Sequence, residues 1–358
     1  MENDKLKSFL INIAKKNSFY PEVKTVNKDY IEKIKDTVFD SHEYKFNGPF
    51  NDLDWIRYSY ERLICRENIK NIFDVRIFFI ENKKIYSIFE LTIYQEKKKY
   101  KIVSRGTEIS PFVPYFSNNA PKRVIKKTIE LIKELNNFFE KKLNINKIYY
   151  NYPLLFNKNN NKYNLLLRDV KKFDVKLWSI VNLDFSVEEI KSEFRKSYKS
   201  VINNNKNNYE LRFINYKSDS IENSWKDYRD LHFKEAGGLT RSEYTWEIQK
   251  KMLLEKKAFL ILLYKKDITV AAAFVYYNQY YGFYFSGAFD KSEKRNHSLN
   301  HICQFKIIEH LKKIGVKCYL LGEYFINNKA AQDKKKYDIS YHKFGFANEL
   351  LNQISISY

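Results

Sequence analysis

Glu323 follows Gly322 directly at the end of a short apolar run, Val316 to Leu321, just past an expected strand terminus. A carboxylate there can take a proton from an incoming amine or hold its ammonium form; a solvated strand-end carboxylate is the alternative. His232 and the pair Arg241-Ser242 lie on either side of Ala236-Gly237-Gly238, so one turn can bring an imidazole and a guanidinium to the same anionic or hydroxylated group. His297 and His301 stand four residues apart, the spacing of one helix face, which suits proton shuttling or contacts to a charged co-substrate. No third ligand falls at a diagnostic spacing, so no metal site is expected. Residue types of this kind suit proton transfer and the holding of anionic or hydroxylated groups. No Gly-x-Ser-x-Gly elbow, Walker loop or dinucleotide fingerprint occurs, which disfavours covalent catalysis through such motifs.

The elements that must hold these residues follow from hydrophobic period and turn signals. Val75 to Ile80, Ile85 to Tyr94 and Tyr100 to Ser104 predict three successive antiparallel strands between Asn/Lys-rich turns. Pro121 opens a long amphipathic helix carrying Val124, Ile125, Ile129, Ile132, Leu135 and Phe139. The polar run Asn157 to Lys162 marks the candidate boundary between two domains. Leu177 to Leu183 reads as a strand, and Ser186 to Glu189 as a capping box. It opens one helix with Ile190, Phe194, Tyr198 and Val201 on one face and the basic stripe Lys191, Arg195 and Lys199 on another. Leu211 to Ile214 is a strand; helices over Trp225 to Phe233 and Tyr244 to Leu254 follow. Then comes a meander of Ala258 to Tyr264, Ile268 to Tyr277 and Tyr281 to Phe289, a helix from Leu299 to Ile314, and the strand that ends at Gly322. Trp246 is expected in the core, and Cys65, Cys303 and Cys318 are expected to be core thiols.

The chain has 358 residues, enough for two domains, with 64 Lys and Arg against 43 Asp and Glu, a formal charge of +21. That charge suits a polyanionic partner, although codons rich in A and T also favour lysine, asparagine, isoleucine, tyrosine and phenylalanine, all abundant here. No apolar run approaches the roughly 20 residues of a membrane span, and no cleavable leader is recognisable, so a cytoplasmic location is expected.

The order helix, helix, three antiparallel strands, helix, strand is the outline of a GNAT acyltransferase core. Several segments resemble the FemAB family of peptidoglycan-bridge aminoacyltransferases and their relatives associated with surface polysaccharides. These are Phe194 to Ile202, the His232 to Trp246 segment, Ser286-Gly287-Ala288, Gly315 through Tyr319 to Glu323, and the closing Ile339 to Phe346. The match covers roughly residues 177 to 346. Before the lysine of the closing element the family has Phe and this chain has His342; where its last glycine is expected, Ala347 stands.

The resemblance implies an α/β (α+β) fold with a GNAT-type mixed sheet flanked by helices. It further implies two tandem GNAT-like units, a degenerate one over residues 1–170 and an acyltransferase domain over 171–358. Backbone amides near Ser286 and Gly287 would polarise the acyl carbonyl, with Glu323 and His232 as the other catalytic groups. Arg241, Ser242, Tyr284 and Lys343 would bind substrate, and Lys291, Arg295, His297 and His301 the acyl donor. The donor is acyl-CoA or aminoacyl-tRNA as a co-substrate, with no resident cofactor. Both stay open because the Asp290 to Leu299 segment lacks the glycines of a pyrophosphate loop. The expected acceptor is the amine of a cell-surface glycan precursor. Expected partners are that small molecule, tRNA, and the inner membrane surface where the acceptor is lipid-linked. A catalytically idle RNA- or membrane-binding GNAT fold is the alternative of a different class.

Overall fold

The computed structural model describes residues 3–34, 52–107, 114–145, 150–151, 172–205, 209–290, 292–293, 299–327 and 333–357. The chain forms two compact units, Met1–Val175 with Gln353–Tyr358, and Lys176–Asn352. The Asn157 to Lys162 run lies outside the described residues.

The first unit contains α1 (Asn3–Lys16), β1 (Tyr20–Thr25), α2 (Lys28–Lys33), α3 (Leu53–Ile64), β2 (Ile69–Glu81), β3 (Lys84–Glu96), β4 (Lys99–Val103), β5 (Tyr115–Phe116), α4 (Lys122–Leu143) and β6 (Tyr150–Asn151). Strands β1 to β4 pair antiparallel in sequence order, and β5 adds to β3. Their hairpins turn at Asn82-Lys83 and Lys97-Lys98, where all four residues have positive φ, the requirement of a two-residue turn whose twist matches the strands. The apolar stripe of α4 packs with Leu6, Leu10 and Ala14 of α1 against Phe73, Val75, Phe89 and Leu91 of the sheet. Pro121 caps α4 from outside its first turn, and Asn144 ends it in the left-handed conformation.

The second unit runs from β7 (Lys172–Asn182) through α5 (Val187–Glu193), α6 (Lys196–Asn205), β8 (Glu210–Ile214), α7 (Ile221–Ala236) and α8 (Glu243–Leu254). It continues with β9 (Ala258–Lys265), β10 (Ile268–Tyr277), β11 (Tyr281–Phe289), α9 (Leu299–Lys313), β12 (Cys318–Tyr324), α10 (Lys334–Phe344) and the first residues of β13 (Glu349–Ser357), whose end from Gln353 belongs to the first unit. The sheet that holds these strands has the order β6-β13-β7-β12-β11-β10-β9-β8. All of the registered pairs within β7 to β12 are antiparallel except β11 with β12. That exception is forced by the crossover helix α9, since parallel neighbours need a long connection. The β9–β10 turn again uses two residues of positive φ, Lys266 and Asp267.

Several expectations change on folding. The predicted helix from Ser186 is two helices, because Phe194 takes ψ 146 and closes α5. The capping box at Ser186 and Glu189 is present as read. Ile202, not Val201, completes the buried face with Ile190, Phe194 and Tyr198. The basic stripe is broken at the same point and each cation has a local partner. Lys191 donates to Asn203 Oδ1, Arg195 stacks on Tyr341 with its Cζ 4.0 Å from the ring centroid, and Lys199 donates to Ser192 O. Glu323 lies inside β12 rather than past its end, opposite Trp178 of β7. Cys303 and Cys318 are buried, but Cys65 is exposed, with its thiol toward the Glu61 carboxylate. Trp246 is core. Among the described residues no helix is long and apolar enough to cross a membrane.

Candidate active site

Strands β11 and β12 pair only through Tyr281, Gly282 and Phe283, opposite Cys318, Tyr319 and Leu320. Gly282 permits the helix above to sit close, since a Cβ there would fall 2.4 Å from Leu311 Cδ1 of α9. Beyond Phe283 the two strands part. The cause lies on the other edge of β11, where the ladder with β10 slips between Phe274 and Val275 and leaves Phe285 as an extra residue. Such a bulge bends its strand, and it also inverts the alternation of side chains beyond it. Tyr284 therefore packs with the α9 core, while Ser286, only two residues on, meets Tyr228 of α7 on the opposite face. The backbone N–H of Asp290 donates to Val270 O across β10, so alternation along β11 turns the N–H of Gly287 toward the open edge.

On the α9 face Tyr284 folds along its own strand. A Cβ on Gly287 would lie 2.0 Å from the Tyr284 hydroxyl, so this position accepts only glycine while that ring keeps its place. Lys343, from the last turn of α10, reaches the opening between the two strands. Its Nζ lies 5.3 Å from the Tyr284 ring centroid, and it would lie 3.4 Å from a Cβ on Gly322 of β12. Gly322 has φ +128, a conformation that side chains rarely adopt. Burial pushes the Lys343 ammonium down to about 8, and burial raises the Tyr284 phenol above its ordinary range. The Glu235 charge adds to the rise of the Tyr284 phenol, while Lys343 has no acidic partner among the described residues. Ser179 of β7, paired with Gly322, carries a fully buried hydroxyl that also lacks a hydrogen-bond partner among them.

The opposite face carries the second constellation. The Tyr228 hydroxyl is 2.5 Å from Ser286 Oγ, and Arg241 Nη1 is 3.5 Å from the same oxygen. Arg241 also donates to Gln249 Oε1 at 2.9 Å, and its Cζ stands 4.6 Å from the Trp246 ring centroid. His232 packs edge-on against Tyr228 and Trp246 and is buried, and its Nε2 and Gln249 Nε2 have no partner among the described residues. Burial, then the Arg241 charge, holds the imidazole down to about 3, so it is neutral at physiological pH. Glu323 shares a sheet face with this cluster, because its β7 partner Trp178 is two residues from Ile180, which packs with Leu320, Tyr281 and Phe283. Its Oε1 is 3.8 Å from Lys176 Nζ and both side chains are about one-third exposed. No direct contact joins Glu323 to His232 or Arg241 among the described residues.

The predicted residues thus divide into two groups about the mouth between β11 and β12. Tyr284, Gly287 and Lys343 gather on one side, and Ser286, His232 and Arg241 on the other. Ser242 does not join them: its Oγ accepts from Thr245 N–H as the N-cap of α8 and is 2.7 Å from Thr245 Oγ1. His301 is withdrawn into a buried ring cluster with Tyr198, His342 and Phe346, away from solvent. Lys291, Arg295 and His297 lie outside the described residues. Tyr228, Gln249 and Ser179 were missed, because nothing in the sequence distinguishes them from core or strand polar residues.

In the first unit the Ser104-Arg105-Gly106 segment is a pinned turn. Arg105 turns inward to Glu90 in a buried ion pair, and Gly106 N–H donates to Thr92 Oγ1. It borders a cavity of about 310 Å³ lined by residues that include Trp55, Tyr58, Arg62, Arg66 and Tyr94.

Comparison with known proteins agrees with this architecture. Residues 192–332 match the Acetyltransferase (GNAT) domain family. No curated protein matches the sequence. Among solved structures, FemX superposes with a TM-score of 0.55 at 12% identity over 93% of this chain and 96% of that one. L-PGS from Bacillus licheniformis gives 0.52 at 10% over 93% and 92%. A conserved protein of unknown function from Bacteroides thetaiotaomicron VPI-5482 gives 0.52 at 11% over 94% and 99%. At such identities the likeness is one of fold. Residues 192–332 thus resemble a GNAT domain, and the fold of the chain is similar to that of FemX and L-PGS. Lys343 lies beyond the matched segment.

Proposed function

We propose that this chain is an N-acyltransferase that moves an acyl group from acyl-CoA directly to the amine of a cell-surface glycan precursor, an amino-sugar nucleotide or a lipid-linked sugar. The observation that carries the reading is the Lys343 ammonium, without an acidic partner among the described residues, over the Tyr284 ring at the open edge of β11. The donor carbonyl lies along that edge, where the Gly287 N–H and Lys343 meet the oxygen as it gains charge. Glu323 takes the proton of the acceptor ammonium, the free amine attacks, and the C–N bond forms as the C–S bond breaks. The leaving thiolate receives a proton from Tyr284 or Lys343, and the proton shed by the newly acylated nitrogen passes back to that group; a lysine held near 8 stays charged at neutrality yet gives up its proton readily. Arg241, Ser286 and neutral His232 hold the acceptor's hydroxyl and anionic groups. The FemAB-like His232 to Trp246 segment supports a glycan acceptor.

A second donor, aminoacyl-tRNA, is favoured by one observation: the Asp290 to Leu299 segment contains no glycine to cradle a pyrophosphate, while the chain carries a charge of +21. We place the protein in the cytoplasm, at the inner membrane surface when the acceptor is lipid-linked.

Transfer assays read by mass spectrometry, pairing acyl-CoAs and charged tRNAs with amino-sugar nucleotides, test the proposal. Product with acyl-CoA is expected. Product with charged tRNA alone overturns the donor assignment, and none with either overturns the enzyme reading in favour of a binding protein.

A further inference from the structure

We infer that His342 is a positioning residue: clamped between Tyr198 of α6 and Asn300 of α9, it fixes the last turn of α10 so that Lys343 enters the opening between β11 and β12. The inference rests on the assignment of that opening as the transfer site.

Both ring nitrogens of His342 are engaged. Asn300 Nδ2 lies 2.7 Å from Nε2, and the Tyr198 hydroxyl lies 3.2 Å from Nδ1. The same hydroxyl donates to His342 O at 3.2 Å, so one phenol holds both the backbone and the side chain of this residue. One proton arrangement satisfies all three contacts. Asn300 donates to Nε2, Nδ1–H donates to the phenol oxygen, and the phenol donates to the carbonyl, which requires a neutral imidazole. Burial, with His301, Arg195 and Lys343 nearby, holds that imidazole down to about 4, so it is neutral throughout the physiological range.

The clamp is itself braced. Arg195 Nη1 donates to the Tyr198 hydroxyl, and Arg195 Nη2 donates to Tyr341 O. Tyr198 stacks edge-on against His301, 4.3 Å between centroids. A Cβ on Gly345 would fall 2.2 Å from Tyr198 Cε2, so the glycine that ends α10 is what lets Tyr198 approach. Adjacent helical residues point about 100° apart, so fixing His342 toward α6 and α9 directs Lys343 to the side facing Gly322 and Tyr284. The FemAB element resembled here has an apolar ring before its lysine; in this chain that ring carries two hydrogen-bonding nitrogens instead.

The charged or titratable groups around the clamp are His301, Arg195, Tyr198, Tyr341 and Lys343 itself. The test follows Lys343 without any substrate: labelling by acetic anhydride across pH 6 to 11, read at that residue by peptide mass spectrometry, with surface lysines of the same sample as reference. In the unaltered chain the Lys343 midpoint is expected near 8, below the ordinary 10.5. His342→Phe, which keeps a ring but no nitrogen, should move it toward 10.5 as the amine leaves the opening. Tyr198→Phe should move it in the same direction by less. His342→Gln, which returns an amide partner for Asn300, should restore part of the original value.

An unaltered chain whose Lys343 titrates like its surface lysines overturns the inference. So does an unchanged midpoint in both His342→Phe and Tyr198→Phe with the circular dichroism retained. If His342→Phe loses its fold, the Tyr198→Phe midpoint alone decides. A shifted midpoint together with full transfer activity in Lys343→Met leaves the positioning intact and removes Lys343 from the reaction, so the two failures are distinguishable.

Discussion

Replacing Gly287 by alanine tests the site geometry most directly. Its φ is not positive, so the added methyl brings no backbone strain and the cost is steric alone. The new Cβ would sit 2.0 Å from the Tyr284 hydroxyl and 3.0 Å from both Tyr284 Cζ and Ala272 O. The hydroxyl must swing away, and the residual crowding resembles overpacking of a filled core, about 1 to 3 kcal/mol. For a unit of this size about 2 kcal/mol lowers Tm by roughly 4 to 8 °C. Tryptophan fluorescence is the suitable probe, because Trp178, Trp225 and Trp246 lie in the second unit and only Trp55 in the first. Tyr284→Phe deletes the atom at 2.0 Å, so Gly287→Ala should cost about 1 kcal/mol less in that background. Tyr284 would also leave Lys343, and transfer activity should fall with Gly287→Ala alone. Strictly additive stability effects, or a Gly287→Ala protein as stable and active as the original, would refute the packing of Tyr284 across the strand.

Lys343→Met should reduce kcat by about 10² to 10³-fold with little change in circular dichroism, as loss of an oxyanion donor does, checked by steady-state kinetics. With Lys343 needed in its charged form, kcat/KM should decline above pH 8 as the proton is lost. Arg241→Ala should raise the acceptor KM more than it lowers Tm, measured by acceptor titration and thermal unfolding. His232 protonates near 3 in the folded chain against an ordinary 6.5, so the unfolded chain binds the extra proton between those values. Stability from this group is complete above pH 6.5 and falls as acid is added, by on the order of 4 kcal/mol down to pH 3. His232→Phe should flatten the urea midpoint between pH 7 and 4; an unchanged slope would mean the imidazole is not buried neutral.

How much of this the sequence carries follows from the range of the forces involved. Caps and turns are local, so Ser186 and Glu189 announce the start of α5 and Gly237 the end of α7 without help from the rest of the chain. Period-2 and period-3.6 patterns gave the three-strand meanders and α4, because one face of each must be buried whatever packs on it. The helix break at Phe194 was not legible: its ring is drawn into contact with Phe305 and Phe346, residues more than one hundred positions away.

The site divides in the same way. His232, Arg241, Ser286, Gly287, Tyr284, Lys343 and Glu323 are residue types that can do amine acylation, and chain order already placed them on or beside the elements of the second unit. Which of them meet was decided by one extra residue, Phe285, whose bulge reverses the phase of β11. It puts Tyr284 and Gly287 on Lys343's side and Ser286 with Arg241, whereas a regular strand would have set Tyr284 and Ser286 on one face. Ser242 has the right chemistry but is held by its helix cap, and His301 is held by three rings. The sequence by itself determined the elements, their order and the stock of reactive groups, since these depend on neighbours along the chain. Only the tertiary structure decided strand phase, the parting of β11 from β12 and the path of Lys343 into that gap, because each depends on contacts between segments far apart in sequence.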